Sequence, residues 1–267
     1  MYNHIYPVFI KGRVLKKESI EYLRDFPYGM ASLAYERYTD GILHGFSVRC
    51  ADGRLSVSGG ALKHRGRIIL VPEGGQAIEI PEVYGRQLYL ALRLYGQYET
   101  EDYIVNPVDI VLVETEPELN AVNGGRADGF YEVELGRFRL EKGADLRCGY
   151  DSFQDFNTPQ NTLDITRVPY AGDGAQTLHP LIMRAYGRAL LNGAIDAESA
   201  AFAFICLNAG IVQKESILLH IAQQGGSLRG DCALTELYGA LAALAPRPAF
   251  RETKEDNKIK GRGPRIS

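Results

Sequence analysis

Residues 54–71, RLSVSGGALKHRGRIILV, alternate apolar and polar side chains, break at two glycines, resume, break at Gly66 and resume again. Period-two alternation interrupted by glycine is the pattern of short antiparallel strands joined by tight turns. Glycines 59, 60 and 66 are expected to reverse the chain. The alternation is expected to set Leu55, Val57, Leu62, Ile68 and Leu70 on the dry side. The stretch carries no evident reactive group. Either it frames an active site elsewhere in the chain, or the frame is itself the function.

Strand-like runs continue on both sides. They cover Ile42 to Val48, Ala77 to Ile80, Leu88 to Tyr95, Asp109 to Glu114, Tyr131 to Leu135 and Arg137 to Leu140. In LYLALRLY, Leu88, Leu90, Leu92 and Leu94 share one face, and Tyr89, Ala91, Arg93 and Tyr95 share the other. One dry face repeated over several strands predicts an antiparallel sandwich. Before it, Lys16 to about Tyr38 reads as helix with Ile20, Leu23, Leu33 and Tyr35 as buried candidates. Pro27 and Gly29 are expected to divide it.

After Tyr150 the composition changes. Residues 151–169 are rich in Asp, Asn, Thr and Pro and read as a connecting loop. Helical periods follow. Thr177 is placed as the cap of a helix running to about Leu191, and Asp196 as the cap of ESAAFAFICLNA. A third helix runs from about Val212 to Gln224, and Asp231 caps a fourth that ends before Pro246. The fold class is therefore α+β. A β-sandwich (residues 1–150) is followed by a linker (151–169), a small helical bundle (170–250) and a basic tail (251–267).

Composition excludes little by itself. The chain has 267 residues, 45% hydrophobic and 24% charged, with a net charge of -3. That balance gives no general pull toward nucleic acid or an anionic membrane. The last stretch, RETKEDNKIKGRGPRIS, carries six Lys/Arg against three Asp/Glu and reads as a solvated tail. No basic leader precedes an apolar run, and no window is apolar enough to span a bilayer. Cys50, Cys148, Cys206 and Cys232 form no CxxC, so they are expected to be reduced, mostly buried thiols with neither zinc nor redox chemistry.

The common catalytic signatures GxSxG, HExxH, GxxxxGK[ST] and GxGxxG are missing. His44, His64, His179 and His220 have no second ligand at i+2 or i+4 and read as structural. Glu99, Glu101 and Asp102, flanked by Tyr98 and Tyr103, could serve a sugar site; a solvated hairpin loop is the simpler reading. NGGRADG (123–129) lacks the ligand alternation of a calcium loop. AGDGAQT (171–177) could cradle an anion at a helix start. None of these amounts to a catalytic, cofactor or metal site.

Two sets of residues are candidates for an interface instead. Tyr84, Tyr89, Tyr95, Tyr98 and Tyr103 gather around one hairpin, and tyrosine suits surfaces where the ring is covered and the hydroxyl stays wet. In the helical half, Ile182, Tyr186, Leu190, Phe202, Phe204, Ile217, Leu218, Ile221, Leu237, Tyr238 and Leu241 exceed what one inward stripe per helix absorbs. Phe202, Phe204, Ile217 and Leu241 are taken from that surplus as interface candidates.

The opening FIKGRVLKKESIEYLRDFP, followed by YTDGILHGFSVRCADGRLSVSGGALKHRGRIILV, resembles the start of phage-tail and prophage-tail baseplate proteins. The matching residues are Asp40, Gly41, Ile42, Gly45, Phe46, Val48, Leu55, Val57, Ser58, Gly60 and Gly66. The order of a β-sandwich shoulder and then a helical bundle is also similar to the type VI secretion baseplate trimer protein and to siphophage receptor-binding proteins. The resemblance implies a non-enzymatic assembly or adaptor subunit. Its partners would be two further copies of itself and other baseplate subunits. It would reside in the cytoplasm during assembly and then in the virion or injection particle. Past the helices only the basic tail remains, which favours an internal baseplate role over host recognition. The alternative is a carbohydrate-binding or carbohydrate-acting β-sandwich using Tyr98, Glu99, Glu101 and Tyr103.

Overall fold

A computed structural model describes residues 6–72, 74, 76–117, 129–193 and 196–246. The chain is α+β. Helix α1 (Lys17–Ala34) precedes β1 (Gly41–Gly45), β2 (Val48–Ala51), β3 (Arg54–Val57), β4 (Gly60–His64), β5 (Arg67–Val71) and β6 (Gln76–Glu79). Then come β7 (Gln87–Tyr95), the short β8 (Tyr98–Glu99) and β9 (Ile104–Val105), β10 (Val108–Val113) and β11 (Phe130–Arg139). A 3-10 turn (Phe153–Asn157) leads to α2 (Pro180–Leu191), α3 (Ala197–Asn208), α4 (Lys214–Gln223) and α5 (Leu234–Leu244). The strands pair antiparallel in the orders β1-β4-β5, β2-β3-β6 and β10-β7-β11, with β8-β9 as a separate hairpin tip.

The opening stretch forms three of these strands, and two turns set its register. Asp52-Gly53 (φ 49° and 70°) and Arg65-Gly66 (φ 50° and 75°) are two-residue turns with both residues left-handed. That geometry matches the twist of the flanking strands. The second turn pairs His64 with Arg67, so Leu62 lies opposite Ile69 and Gly60 opposite Val71. Ile69 and Val71 therefore face the core. Ile68 is only half-buried, and Leu70, expected inside, is 73% exposed. One residue of register decides which face a strand buries.

Glycines 59 and 60 do not make a hairpin. They carry the chain from the β2-β3-β6 sheet to the β1-β4-β5 sheet, against the end of β1. A Cβ on Gly45 (φ 81°) would stand 2.3 Å from the Gly59 carbonyl oxygen, and one on Gly60 would stand 2.6 Å from that of His44. Both positions need glycine for close backbone approach.

Helix α1 is continuous through Pro27 and Gly29, and none of its residues is buried. A proline deletes one helical N–H and frees one carbonyl, which solvent can satisfy on an exposed helix. The expected burial of Ile20, Leu23 and Leu33 is thus corrected: they are 50%, 50% and 70% exposed. The end of the helix is nevertheless fixed. Lys63 Nζ, from β4, donates to the carbonyls of Tyr35 (2.7 Å), Glu36 (2.9 Å) and Tyr38 (2.7 Å). All three ammonium protons are used on carbonyls that follow the helix, where a cation is also favoured by the helix dipole. Lys63→Met is expected to cost about 2–3 kcal/mol, since it strands these carbonyls beside an apolar side chain. Amide exchange across residues 17–38 should accelerate by at least about tenfold while β7 stays protected.

Residues 151–169 are irregular, as expected, but they are packed into the core. Phe153, Phe156, Leu163, Ile165 and Val168 are buried. The polar residues that suggested a loop are local caps. Asp155 accepts from the Asp151 N–H and the Thr158 hydroxyl, and Asp164 accepts from the N–H and hydroxyl of Thr166. Composition cannot separate a solvated loop from an irregular segment that satisfies its own backbone. Tyr150 donates to the Leu163 carbonyl at 2.6 Å, and Tyr238 of α5 donates to that of Phe153 at 2.7 Å. A single hydrophobic core runs from Ile42 and Leu62 through Leu90, Phe138 and Phe156 to Tyr186 and Leu241. The expected tail, 251–267, lies outside the described residues.

A disulfide corrects the reading of the cysteines. Cys50 of β2 is joined to Cys148, with Cα atoms 5.6 Å apart across 98 residues of sequence. Spacing gave no hint of it, because the fold and not the chain brings the pair together. Cys206 and Cys232 are free and buried, as expected.

The helix starts also differ in detail. His179 caps α2, accepting the Leu181 N–H on Nδ1 at 2.9 Å, while the Thr177 hydroxyl instead donates to the Val212 carbonyl. Asp196 caps α3 as expected, accepting from Ser199 N–H at 2.7 Å. Asp231 pairs with Arg229, and at α5 the Glu236 carboxylate accepts the Ala233 N–H. α2 and α3 meet closely at Gly187, where a Cβ would stand 2.9 Å from the Ala203 carbonyl oxygen.

Candidate interaction surface

Alternation along β7 places Leu88, Leu90, Leu92 and Leu94 on the core side, all at most 4% exposed. Tyr89, Arg93 and Tyr95 stand on the opposite face. Register with β11 then sets Arg93 beside Glu132 and Tyr89 beside Arg137. Arg93 Nη2 reaches Glu132 Oε1 at 2.7 Å, and its guanidinium lies 4.1 Å from the Phe130 ring centroid. Arg137 grips Glu134 in a two-point contact, Nε to Oε1 at 2.7 Å and Nη2 to Oε2 at 2.6 Å. The same guanidinium reaches Glu116 at 2.6 Å and covers the Tyr89 ring at 4.8 Å. Glu116 in turn meets Arg167 at 3.3 Å.

Glu132, Glu134 and Arg137 are buried despite their charge. Burial raises the Glu134 pKa, with the hydrogen bonds from Arg137 pulling the other way. Those from Arg137 hold the Glu116 carboxyl below the usual range. Arg93–Glu132 ties β7 to β11, Arg137–Glu134 is closed within β11, and Glu116 joins Arg137 to Arg167, the arrangement of a rigid scaffold. Tyr89 is spent in it and is not an outward contact. The exposed aromatic residues of the hairpin are Tyr84 (41%), Tyr95 (37%), Tyr98 (52%) and Tyr103 (72%), with Ile104 (64%) beside them. Tyr95 is steadied by its hydroxyl, which donates to Asp109 at 3.1 Å.

Three of the four helical candidates are core residues of the chain itself. Phe202 (6% exposed), Ile217 (0%) and Leu241 (0%) pack inside, so they cannot present a surface. Phe202 stacks on the His220 imidazole at 4.1 Å, and His220 Nε2 meets the Tyr186 hydroxyl at 2.9 Å. Phe204 is 57% exposed, with Ile205 (48%) and Leu219 (60%) on the same pair of helices. The expected surplus is therefore smaller, because the irregular segment 146–178 and α5 absorb much of it.

A further apolar surface went unread in the sequence. Val14, Leu15, Ile20, Leu23, Phe26, Met30 and Leu33, on α1 and the arm before it, are all about half exposed or more. Their helical spacing was legible. Nothing in it separates a stripe that faces its own core from one that faces another molecule.

A cleft of about 670 Å³ separates the end of β1 from the start of α2, lined among others by Tyr38, His44, Tyr150, Tyr170, His179 and Arg184. His179 is committed there. Its Nδ1 accepts from Leu181, which leaves the proton on Nε2, facing the Tyr170 hydroxyl at 3.5 Å. That hydroxyl donates to the Gly45 carbonyl at 3.2 Å, tying α2 to β1. Burial and the Arg184 charge push the imidazole down to about 3, and burial raises the Tyr170 hydroxyl. The chain of contacts is a strut. In the AGDGAQT loop, Asp173 N–H donates to Gln213 and Gly174 N–H to the Arg37 carbonyl, so these two N–H groups are not turned toward an anion. Glu99 and Glu101 lie on an exposed tip, where the Tyr103 N–H donates to Thr100 Oγ1. The 123–128 part of NGGRADG lies outside the described residues. Among the described residues no group of three or more His, Cys, Asp or Glu could hold a metal ion, and no helix is long and apolar enough to cross a membrane.

No family model matches the chain, and no curated protein matches it. Among solved structures it is similar to a chain of the type VI secretion system TssK-TssF-TssG baseplate subcomplex, at 9% identity and a TM-score of 0.39, covering 91% of this chain and 99% of that one. It is also similar to TssK, at 10% identity and a TM-score of 0.36, covering 90% of this chain and 68% of that one. These scores mark a coarse likeness in the arrangement of sheets and helices.

Proposed function

We propose that this chain is a non-enzymatic structural subunit of the baseplate of a phage-like tail or contractile injection system. In this reading it acts as an assembly or adaptor piece, self-associates as a trimer and binds other baseplate subunits. It is held in the cytoplasm during assembly and then in the particle. The observation that carries the proposal is the pairing of a rigid sheet, braced between strands by Arg93–Glu132 and within β11 by Arg137–Glu134, with separate exposed apolar surfaces at α1 and at the tyrosine hairpin. Large exposed apolar patches on a stable frame mark contact surfaces. The resemblance of residues 10–71 to baseplate proteins supplies the kind of assembly and the number three.

Tagging the chain in its native host and purifying sedimentable particles tests the proposal. Sheath and tube proteins should co-purify with it in fixed ratio, and deletion of its gene should abolish assembled particles. Absence of the chain from every such particle would overturn the reading. The exposed rings of Tyr98 and Tyr103 beside Glu99 favour one competitor, a glycan site. Saturable binding to a cell-wall glycan, lost in Glu99→Ala with Glu101→Ala, would establish that competitor instead.

A further inference from the structure

We propose that α1 is the self-association element of this protein, packing its apolar stripe against α1 of other copies of the same chain. The inference rests on the assembly reading only for the expectation that copies associate. It places the contact at the N-terminal helix, away from the α2–α5 half.

The first argument is that, among the described residues, α1 has little packed support beyond its end. It is 18 residues long, contains Pro27, and buries none of its residues. An interior proline removes a helical hydrogen bond, and protein helices draw most of their stability from a packed face. Lys63 fixes only its last turn.

The second argument is the pattern of its surface. Ile20, Leu23, Phe26, Met30 and Leu33 are spaced 3, 3, 4 and 3 residues apart and fall in one stripe roughly 140° wide. They are 50%, 50%, 49%, 54% and 70% exposed. At roughly 100 Å² each they offer about 500 Å² of apolar surface, already at the upper end of the largest patch on an ordinary monomer. Val14 (90%) and Leu15 (54%) in the arm extend it toward the roughly 800 Å² per partner of a stable interface. Phe204, Ile205 and Leu219 offer a smaller area on α3 and α4.

Charge then selects the occupant. Lys17, Glu18, Glu21, Arg24 and Asp25 all fall on the opposite side of the helical wheel from the stripe. Lys17 pairs with Glu21 at 3.5 Å and Arg24 with Asp25 at 2.6 Å, so four of the five are answered within the helix. An uncharged, wide stripe has nothing with which to choose a partner of opposite sign. It is complementary to itself. The three bonds from Lys63 hold α1 in a fixed pose relative to the sheet, so each copy presents the stripe in the same way, as closed symmetry requires.

The test is the mass of the full-length chain by light scattering at micromolar concentration. Wild type should be an oligomer. Leu23→Glu with Met30→Glu should reduce it to the mass of one chain while the melting of the sheet core stays cooperative. Phe204→Glu with Leu219→Glu should leave the oligomer intact. Leu23→Cys, on the stripe, should cross-link two copies under mild oxidation, and Glu21→Cys, on the polar face, should not. A monomeric wild type, an oligomer that survives the α1 substitutions, or one dissolved only by the α3–α4 pair would overturn the inference. A monomer that still enters sheath-containing particles would overturn it and leave the baseplate reading standing. An α1-linked oligomer that enters no particle would do the reverse.

Discussion

Arg137→Met is expected to lower the unfolding free energy by about 3–5 kcal/mol, the range for removing one partner of a buried ion pair. The Arg137 side chain is only 11% exposed and that of Glu134 only 7%, so water cannot replace the lost guanidinium. Glu134 would keep its place in the sheet because β11 register with β7 fixes it. It would then have to take a proton or remain a buried, unanswered charge. Glu116 and the Tyr89 ring lose the same group, which adds to the cost. The double variant Arg137→Met with Glu134→Gln should recover much of the loss, since removing both charges leaves no orphan. Urea unfolding of wild type, the single variant and the double variant measures both effects. A loss below about 1 kcal/mol in the single variant would show that water reaches Glu134 freely, as it does in exposed pairs.

The second large effect is on acid stability. His179 stays neutral in the fold, its pKa depressed to about 3 by burial and by Arg184, against an ordinary 6.5. The unfolded chain therefore binds a proton that the folded chain refuses, at every pH between those values. The stability tied to this group is complete above 6.5 and is lost as the pH falls from 6.5 toward 3. Between pH 7 and pH 5 the expected loss is about 2 kcal/mol, from 1.4 kcal/mol per pH unit over the window below 6.5. Burial also depresses His64 and His220, which act in the same direction. His179→Asn keeps an acceptor for the Leu181 N–H while removing the titration. Its stability should fall less between pH 7 and 5 than that of wild type, by about the same 2 kcal/mol. Equal slopes in the two proteins would mean that His179 is protonated in the folded chain.

Both predictions depend on groups that looked ordinary in the sequence. Glu132, Glu134 and Arg137 lay in strand-like runs with no role assigned, and His179 read as structural. Strand alternation assigned the faces of β7 correctly but could not say whether the second face would be covered. In β11 it is, so charges on that face had to be paired: Glu132 with Arg93 of β7, 39 residues away in sequence, and Glu134 with Arg137 of the same strand.

Local chemistry determined much of the rest. The turn at Gly66, the leucine face of β7, the Asp196 cap and the ends of α3 and α4 follow from interactions within a few residues, and these were legible. The α+β order followed from the change of period after residue 150. Tertiary structure decided what depends on contacts distant in the chain. The two-residue turn at Arg65-Gly66 put Leu70 outside and Ile69 inside. Cys50 found Cys148 across 98 residues. The Asp- and Asn-rich segment 151–169 became core because its polar groups cap one another, leaving Phe153, Phe156 and Ile165 free to pack. Phe202, Ile217 and Leu241 were taken into the core, Phe202 against Tyr186 and His220, while the stripe on α1 was left outside with nothing among the described residues to cover it. Periodicity defines which side chains share a face; only the packed molecule determines which faces its own core has room to hold.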